Sequence, residues 1–312
     1  MALDADIVER VAHLHDATLA QLLSGEVEGV PPAPPLRRAD VERHDRAIDG
    51  PGGPLAVRVY RPVDADGVLP ALVWVHGGGW QYGDLDMPEA DSVSQIVAAT
   101  ARIAVVSVGY RLAPVHRHPA ALDDVVAAWR WVSSGAAPGI DPAHVGLGGA
   151  SAGGLLAAAA TLVLAGEEVP PAALWLAYPV TDPDGGPYDE PHADCPPVLW
   201  LGREGTMGLF GTYLGADPAD AGPPIVPLAG DLAQLPPTLV TTAECDGLRA
   251  QGERFVGEAR AQGVEVAHHH VDGVLHGYLN TVGDSGAADL ALERHVRWVH
   301  AALAVGIPGE NY

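Results

Sequence analysis

The chain has 312 residues, 48% of them apolar, and 17 basic against 40 acidic side chains give it a formal net charge of −23. All of the basic residues are arginine, which excludes phosphate loops, Schiff-base enzymes and Ser-x-x-Lys acyl enzymes, each of which needs a lysine. The acidity argues against nucleic acid or an anionic membrane as partner, and no run of about eighteen apolar residues is present to span a bilayer.

In chain order, residues 5–23 have the apolar spacing of an amphipathic helix, and the PPAPP segment at 31–35 ends it as a stiff connector. The N-terminus is acidic rather than basic-then-apolar, so no signal peptide is indicated. Cys195 and Cys245 make no disulfide framework, and a reduced, cytoplasmic setting is expected. Strand-like runs follow at 41–48, 55–60 and 69–75. The pattern then alternates: helix 89–100, strand 102–108, helix 119–134, strand 144–149, helix 152–165 and strand 172–178. Residues 182–235 break the rhythm with Pro, Gly and Asp and only a weak helical patch at 203–214. Strand 237–243, helix 248–262, strand 264–271 and helix 287–304 resume it. Alternation of this kind predicts an α/β fold with a mostly parallel central sheet flanked by helices. The expected organisation is an N-terminal cap segment at 1–45, core at 46–181 and 236–312, and a cap insertion at 182–235. The last helix carries Val296, Trp298, Val299 and Leu303, a face for the sheet or for a second subunit, so a homodimer stays open.

The stretch GLGGASAGG at 146–154 admits two chemistries. A dinucleotide fingerprint needs G-x-G-x-x-G, and here Ser151 stands in place of the third glycine, mid-chain rather than in the first βα unit. G-x-S-x-G is matched in full by residues 149–153, between a strand and a helix, where a sharp turn would lift Ser151 above the sheet as a nucleophile. A plain glycine-rich turn has the same composition, so the motif needs partners. Three are present. The HGGGW box at 76–80 follows the strand 69–75, and the N–H groups of Gly77, Gly78 and Ala152 are candidate oxyanion donors. Asp246 lies just beyond strand 237–243 and reads as a triad acid, a helix N-cap or both, with Glu244 and Cys245 weaker by position. His276 sits in a glycine-bounded loop after strand 264–271. Of the strand histidines, His268 and His270 share one face and His269 takes the other. A metal site would want more ligands and a carboxylate, so neither metal nor cofactor is expected.

The order Ser151, Asp246, His276 is that of α/β-hydrolases. With HGGG, GGASAGG, YRLAP at 110–114, DGLR at 246–249 and LHGY at 275–278, the chain resembles the hormone-sensitive-lipase-like esterases. The resemblance implies an α/β-hydrolase fold with a cap built from the N-terminus and an insertion. It also implies a serine carboxylesterase acting on short- to medium-chain small-molecule esters through an acyl-enzyme, with amides, lactones, carbamates and acetylated small molecules open as other substrates of the same site. Ala150 and Val115 stand where that family usually has acids. Trp80, Tyr82, Trp200, Phe210 and Tyr213 either line the substrate pocket or pack the cap. A neutral His276 is required as base, so activity is expected to fall as pH drops through roughly 6–7. A non-catalytic receptor on this fold would be expected to lose a triad member.

Overall fold

The computed structural model describes residues 40–182, 186–191 and 195–303, together with Leu3, Ile7, Val8, Val11 and Leu14. The expected helix at 5–23 is represented only by those last four positions, of which Ile7 and Leu14 are buried and Val8 is exposed. The connector at 31–35, and the expected cap segment up to residue 39 apart from these positions, lie outside the described residues.

Eight strands form one sheet: β1 (Val41–Gly50), β2 (Gly53–Pro62), β3 (Leu69–Val75), β4 (Ala104–Gly109), β5 (Ile140–Ala150), β6 (Leu174–Ala177), β7 (Thr238–Cys245) and β8 (Val266–Leu275). Their spatial order is β1-β2-β4-β3-β5-β6-β7-β8. β1 pairs antiparallel with β2 from Val41↔Pro62 to Gly50↔Gly53, and β2 pairs antiparallel with β4. Every later pairing is parallel. β1 begins at Val41, so the expected boundary at 45/46 falls inside a core strand: residues 41–45 belong to the sheet, not to a cap.

Among the described residues the longer helices are α1 (Pro88–Ala101), α2 (Ala120–Ser133), α3 (Ala152–Leu164), α4 (Arg203–Leu214), α5 (Arg249–Ala261) and α6 (Gly286–Leu303). Alternation along the strands sorts the core into two layers. Ala71, Val73 and Val75 of β3 face one side, with residues of α2, α3 and α5; Leu72 and Trp74 face the other, with α1 and α6. Val296, Val299 and Leu303 of α6 are each 1% exposed and pack on the sheet, while Trp298, the fourth residue of that expected face, is only partly buried. The weak helical patch at 203–214 is α4.

The topology places the site before any side chain is considered. From β3 the chain crosses by α1 to β4 on one flank, then returns by α2 to β5 on the other. The carboxyl ends of β3 and β5 are therefore neighbours at the point where strand order reverses, and open parallel sheets leave a crevice there. The HGGG box follows β3 and Ser151 follows β5.

Candidate active site

Ser151 occupies the turn between β5 and α3 with φ 53 and ψ −117, a left-handed conformation that a side chain tolerates only under constraint. Its N–H donates to Ala177 O at 2.8 Å, which fixes the turn to β6. The flanking glycines have steric causes. A Cβ on Gly149 would meet the backbone of Gly153 and Val75, and one on Gly153 would meet the carbonyl oxygens of Val75 and His76. The helix thus enters against β3 at a distance no side chain permits, and Ser151 is held over the strand ends.

His276 Nε2 lies 2.8 Å from Ser151 Oγ, and His276 Nδ1 lies 2.8 Å from Asp246 Oδ2. The carboxylate accepts from Nδ1–H, so the lone pair of Nε2 faces the serine hydroxyl. The other carboxylate oxygen of Asp246 accepts the Leu248 N–H at 2.9 Å, so this residue caps the turn into α5 and holds the imidazole at once. Glu244 accepts the Gly273 N–H at 2.7 Å, and Cys245 pairs with Leu275 in the ladder; neither takes the place of Asp246. Burial alone would lower the His276 pKa, but the charge and hydrogen bond of Asp246, with help from Glu89, carry it above its ordinary value. The ring of Tyr178 meets His276 edge-on, with centroids 5.0 Å apart.

The HGGG loop needs one correction. The Gly77 N–H is taken by Glu89 Oε1, so it is not available to an oxyanion. Among the described residues, the N–H groups of Gly78, Gly79 and Ala152 have no acceptor. The candidate donors are therefore Gly78, Gly79 and Ala152, one residue along the loop from the expected Gly77 and Gly78 with Ala152 unchanged. Gly78 and Gly79 have φ 101 and 60, and a Cβ on Gly78 would strike the Tyr82 carbonyl. Tyr110 of the YRLAP segment donates from its hydroxyl to His76 O at 3.0 Å and Gly77 O at 3.1 Å, which pins the loop from behind. His76 stacks on Tyr110 and donates Nδ1–H to Gly77 O at 2.8 Å. Burial pushes its pKa down to about 4, so it is a neutral strut.

The α/β hydrolase fold family matches residues 72–280, from β3 to the turn behind His276. The chain belongs to this α/β-hydrolase family. The expected resemblance to hormone-sensitive-lipase-like esterases is borne out by its relatives. The carboxylic ester hydrolase LipN of Mycobacterium tuberculosis is 34% identical over 307 residues, spanning 90% of this chain and 72% of the relative. The carboxylesterase NlhH of the same species is 38% identical over 235 residues, 72% of each chain. A hyperthermophilic esterase from Pyrobaculum calidifontis superposes with a TM-score of 0.80 at 30% identity, covering 96% of this chain and 99% of that one.

Within this α/β-hydrolase the aromatic residues divide. Phe210 and Tyr213 of α4 are fully buried and Trp80 is 1% exposed. The Trp80 ring lies 5.4 Å from Phe210 and 5.2 Å from Tyr213, and its Nε1–H donates to Ala152 O at 3.1 Å. The three form a fastener between the HGGG loop, the start of α3 and α4, and present no face to a ligand. Tyr82 is 42% exposed and turns outward beyond the loop. Trp200 is half-buried and lies against Gly247, beside Asp246. Leu209 rests on Gly79, where a Cβ would come within 3.1 Å of its side chain. Leu209, Trp200 and Leu201 of the 182–235 segment thus lie against the glycines that flank the reacting groups.

Among the described residues no cluster of three His, Cys, Asp or Glu is placed to hold a metal ion. His268 and His270 share the Thr242 hydroxyl, and His269 Nδ1 lies 3.1 Å from Nδ1 of the buried His295. Ala150 is buried in the layer facing α1 and Val115 is 81% exposed, so neither position contacts the triad through a polar group. No helix among the described residues is long and apolar enough to cross a membrane.

Proposed function

We propose that this α/β-hydrolase is a serine carboxylesterase, with Ser151 as nucleophile, His276 as base and Asp246 as the acid that orients and balances it. The single observation carrying this reading is the unbroken chain from Asp246 through His276 to Ser151, with both links at 2.8 Å and unclaimed N–H donors beside it. His276 takes the Ser151 proton as Oγ attacks the ester carbonyl. The negative charge on the carbonyl oxygen falls to the N–H groups of Gly78, Gly79 and Ala152. The tetrahedral centre collapses, the alkoxide leaves with the proton from His276, and an acyl-Ser151 ester remains. Water, deprotonated by His276, then attacks that ester, and collapse returns the carboxylic acid and the serine hydroxyl.

Residues 182–235 act in this reading as a cap over the strand ends, fastened by the Trp80–Phe210–Tyr213 cluster, with the N-terminal segment as its second part. The substrate is a small ester with a short to medium acyl chain, because Leu209 stands directly over the oxyanion glycine. A net charge of −23 disfavours nucleic acid as a partner. A cytoplasmic site of action is supported by two buried free thiols, of which burial pushes Cys195 up to about 12 and keeps it protonated.

The test is hydrolysis of p-nitrophenyl acetate, butyrate, octanoate and laurate by the purified protein and by Ser151→Ala. Turnover that favours the shorter esters and disappears in the variant is expected. Equal turnover by both proteins would remove Ser151 as nucleophile. No turnover by either, with no labelling by a serine-reactive phosphonate, would leave a ligand-binding protein on this fold.

A further inference from the structure

Glu89 lies in the first turn of α1, is 1% exposed, and has no step in the mechanism above. Its partners are three donors. The Gly77 N–H meets Oε1; the Tyr178 hydroxyl at 2.7 Å and Asn280 Nδ2 at 3.2 Å meet Oε2. The Glu89 backbone N–H also donates to Asn280 Oδ1 at 3.2 Å, so the two residues join at two points. These donors belong to three segments that carry the chemistry. Gly77 precedes the free N–H groups of the HGGG loop. Tyr178 follows β6 and packs its ring on His276. Asn280 lies in the turn behind His276 and donates back to Gly277 O at 3.2 Å.

We propose that Glu89 is a positioning residue of the hydrolase: its carboxylate sets the oxyanion loop against the turn that carries His276, and its charge supports the imidazolium that forms there. The inference rests on the Ser151–His276–Asp246 reading. Three donors converge on the carboxyl, and none of its partners needs a proton from it, so the ionised form is the one they fit. Burial carries the Glu89 pKa above its ordinary value, and Tyr178, Gly77, the charge of His276 and Asn280 oppose that rise, so it is the convergence of donors that favours the carboxylate. The titratable groups facing it are Tyr178, Tyr110 and His276, with Tyr278 and Asp246 behind them. Asp91, on the same helix, is engaged instead by Arg43, Arg58 and Tyr60. A buried carboxylate without an arginine partner is costly in the resting protein, and His276 is the group that becomes positive beside it during reaction. The cost at rest is offset in the transition state.

The experiment compares Glu89→Gln with the double exchange Glu89→Gln/Asn280→Asp across pH 5–9 on p-nitrophenyl butyrate, with Ser151→Ala alongside. An amide at position 89 accepts on one side only and opposes a donor on the other. The double exchange returns a carboxylate to the cluster, where it can accept both the backbone N–H and the new amide of position 89. The expected result for Glu89→Gln is a fall in kcat of about 10- to 100-fold with KM nearly unchanged. The acid limb should move to lower pH. The double exchange should recover most of the loss and return the limb. Wild-type kcat and limb in Glu89→Gln would overturn the inference, as would equal losses in both variants with the limb unmoved. If Ser151→Ala is inactive in those cases, the inference alone fails; if Ser151→Ala turns over, the triad reading fails and takes the inference with it.

Discussion

His276 is held between opposing influences. Only 10% of its side chain is exposed, and burial weakens an imidazole as a base. The Asp246 carboxylate at 2.8 Å, aided by Glu89, reverses the effect and leaves the net shift upward. The base must be neutral to take the serine proton, so the acid limb of kcat/KM is expected above the ordinary imidazole value of 6.5, which narrows the roughly pH 6–7 read from the sequence to its upper side. Asp246→Asn removes the charge and reverses the preferred tautomer. It should lower kcat by about 10⁴-fold and move the limb to lower pH, readable from one pH–rate series; an unmoved limb would place the upward shift elsewhere. Ser151, Asp246 and His276 are legible in sequence because each stands within two residues of a glycine, just past a strand-like run. Glu89 was not, since an acid in PEADS reads as an ordinary first-turn residue of a helix. That hidden residue also explains the displaced oxyanion pair, because which glycine N–H stays free depends on a carboxylate twelve positions downstream.

At the scale of elements, α4 is held to the core by few but large contacts. Phe210→Ala opens a fully buried aromatic site against Trp80 and Tyr213, and should cost about 3–5 kcal/mol of unfolding free energy by denaturant titration. A cost under about 1 kcal/mol would mean that α4 is not docked as described. The same contacts show where periodicity stops being informative. Large aromatics in a Pro- and Gly-rich segment suit a ligand pocket and an element interface equally well, and only packing decides. Strands were easier: β3 and β5 are apolar runs closed by glycine, with boundaries within a few residues. β8 was read to end at residue 271, yet its ladder runs to Leu275 past an irregularity opposite Glu244, and Asp272-Gly273 mimics a turn. α4 itself was faint, because its one buried side consists of Thr206, Phe210 and Tyr213 among glycines.

For the whole molecule, acid stability follows from histidines kept neutral. Burial pushes His76 and His269 down to about 4, and His295 well below its ordinary value. Between the ordinary value of 6.5 and about 4 the unfolded chain binds protons that the folded chain refuses. Stability therefore falls as pH drops through that window, by about 1.4 kcal/mol per pH unit for each fully buried group. Opposing effects are relief of self-repulsion at a net charge of −23, which salt screens, and protonation of Glu89 and His276, whose pKa values are raised in the fold. Melting temperature measured in molar salt should decline steadily from pH 6.5 to 4; a flat profile would mean that these rings are protonated in the fold. His295 marks a limit of sequence reading at this scale, because α6 and β8 are brought together only in the finished sheet, where its Nε2 meets the Tyr278 hydroxyl at 2.8 Å.

The order of strands also sets an order in time. The nucleophile sits after β5 in the middle of the sheet, while its base follows β8 at the outer edge, 125 residues later in the chain. A chain emerging from the ribosome thus displays its serine elbow long before it owns an imidazole to activate it. On the proposed triad, the serine is without its base until β8 has been made and paired with β7.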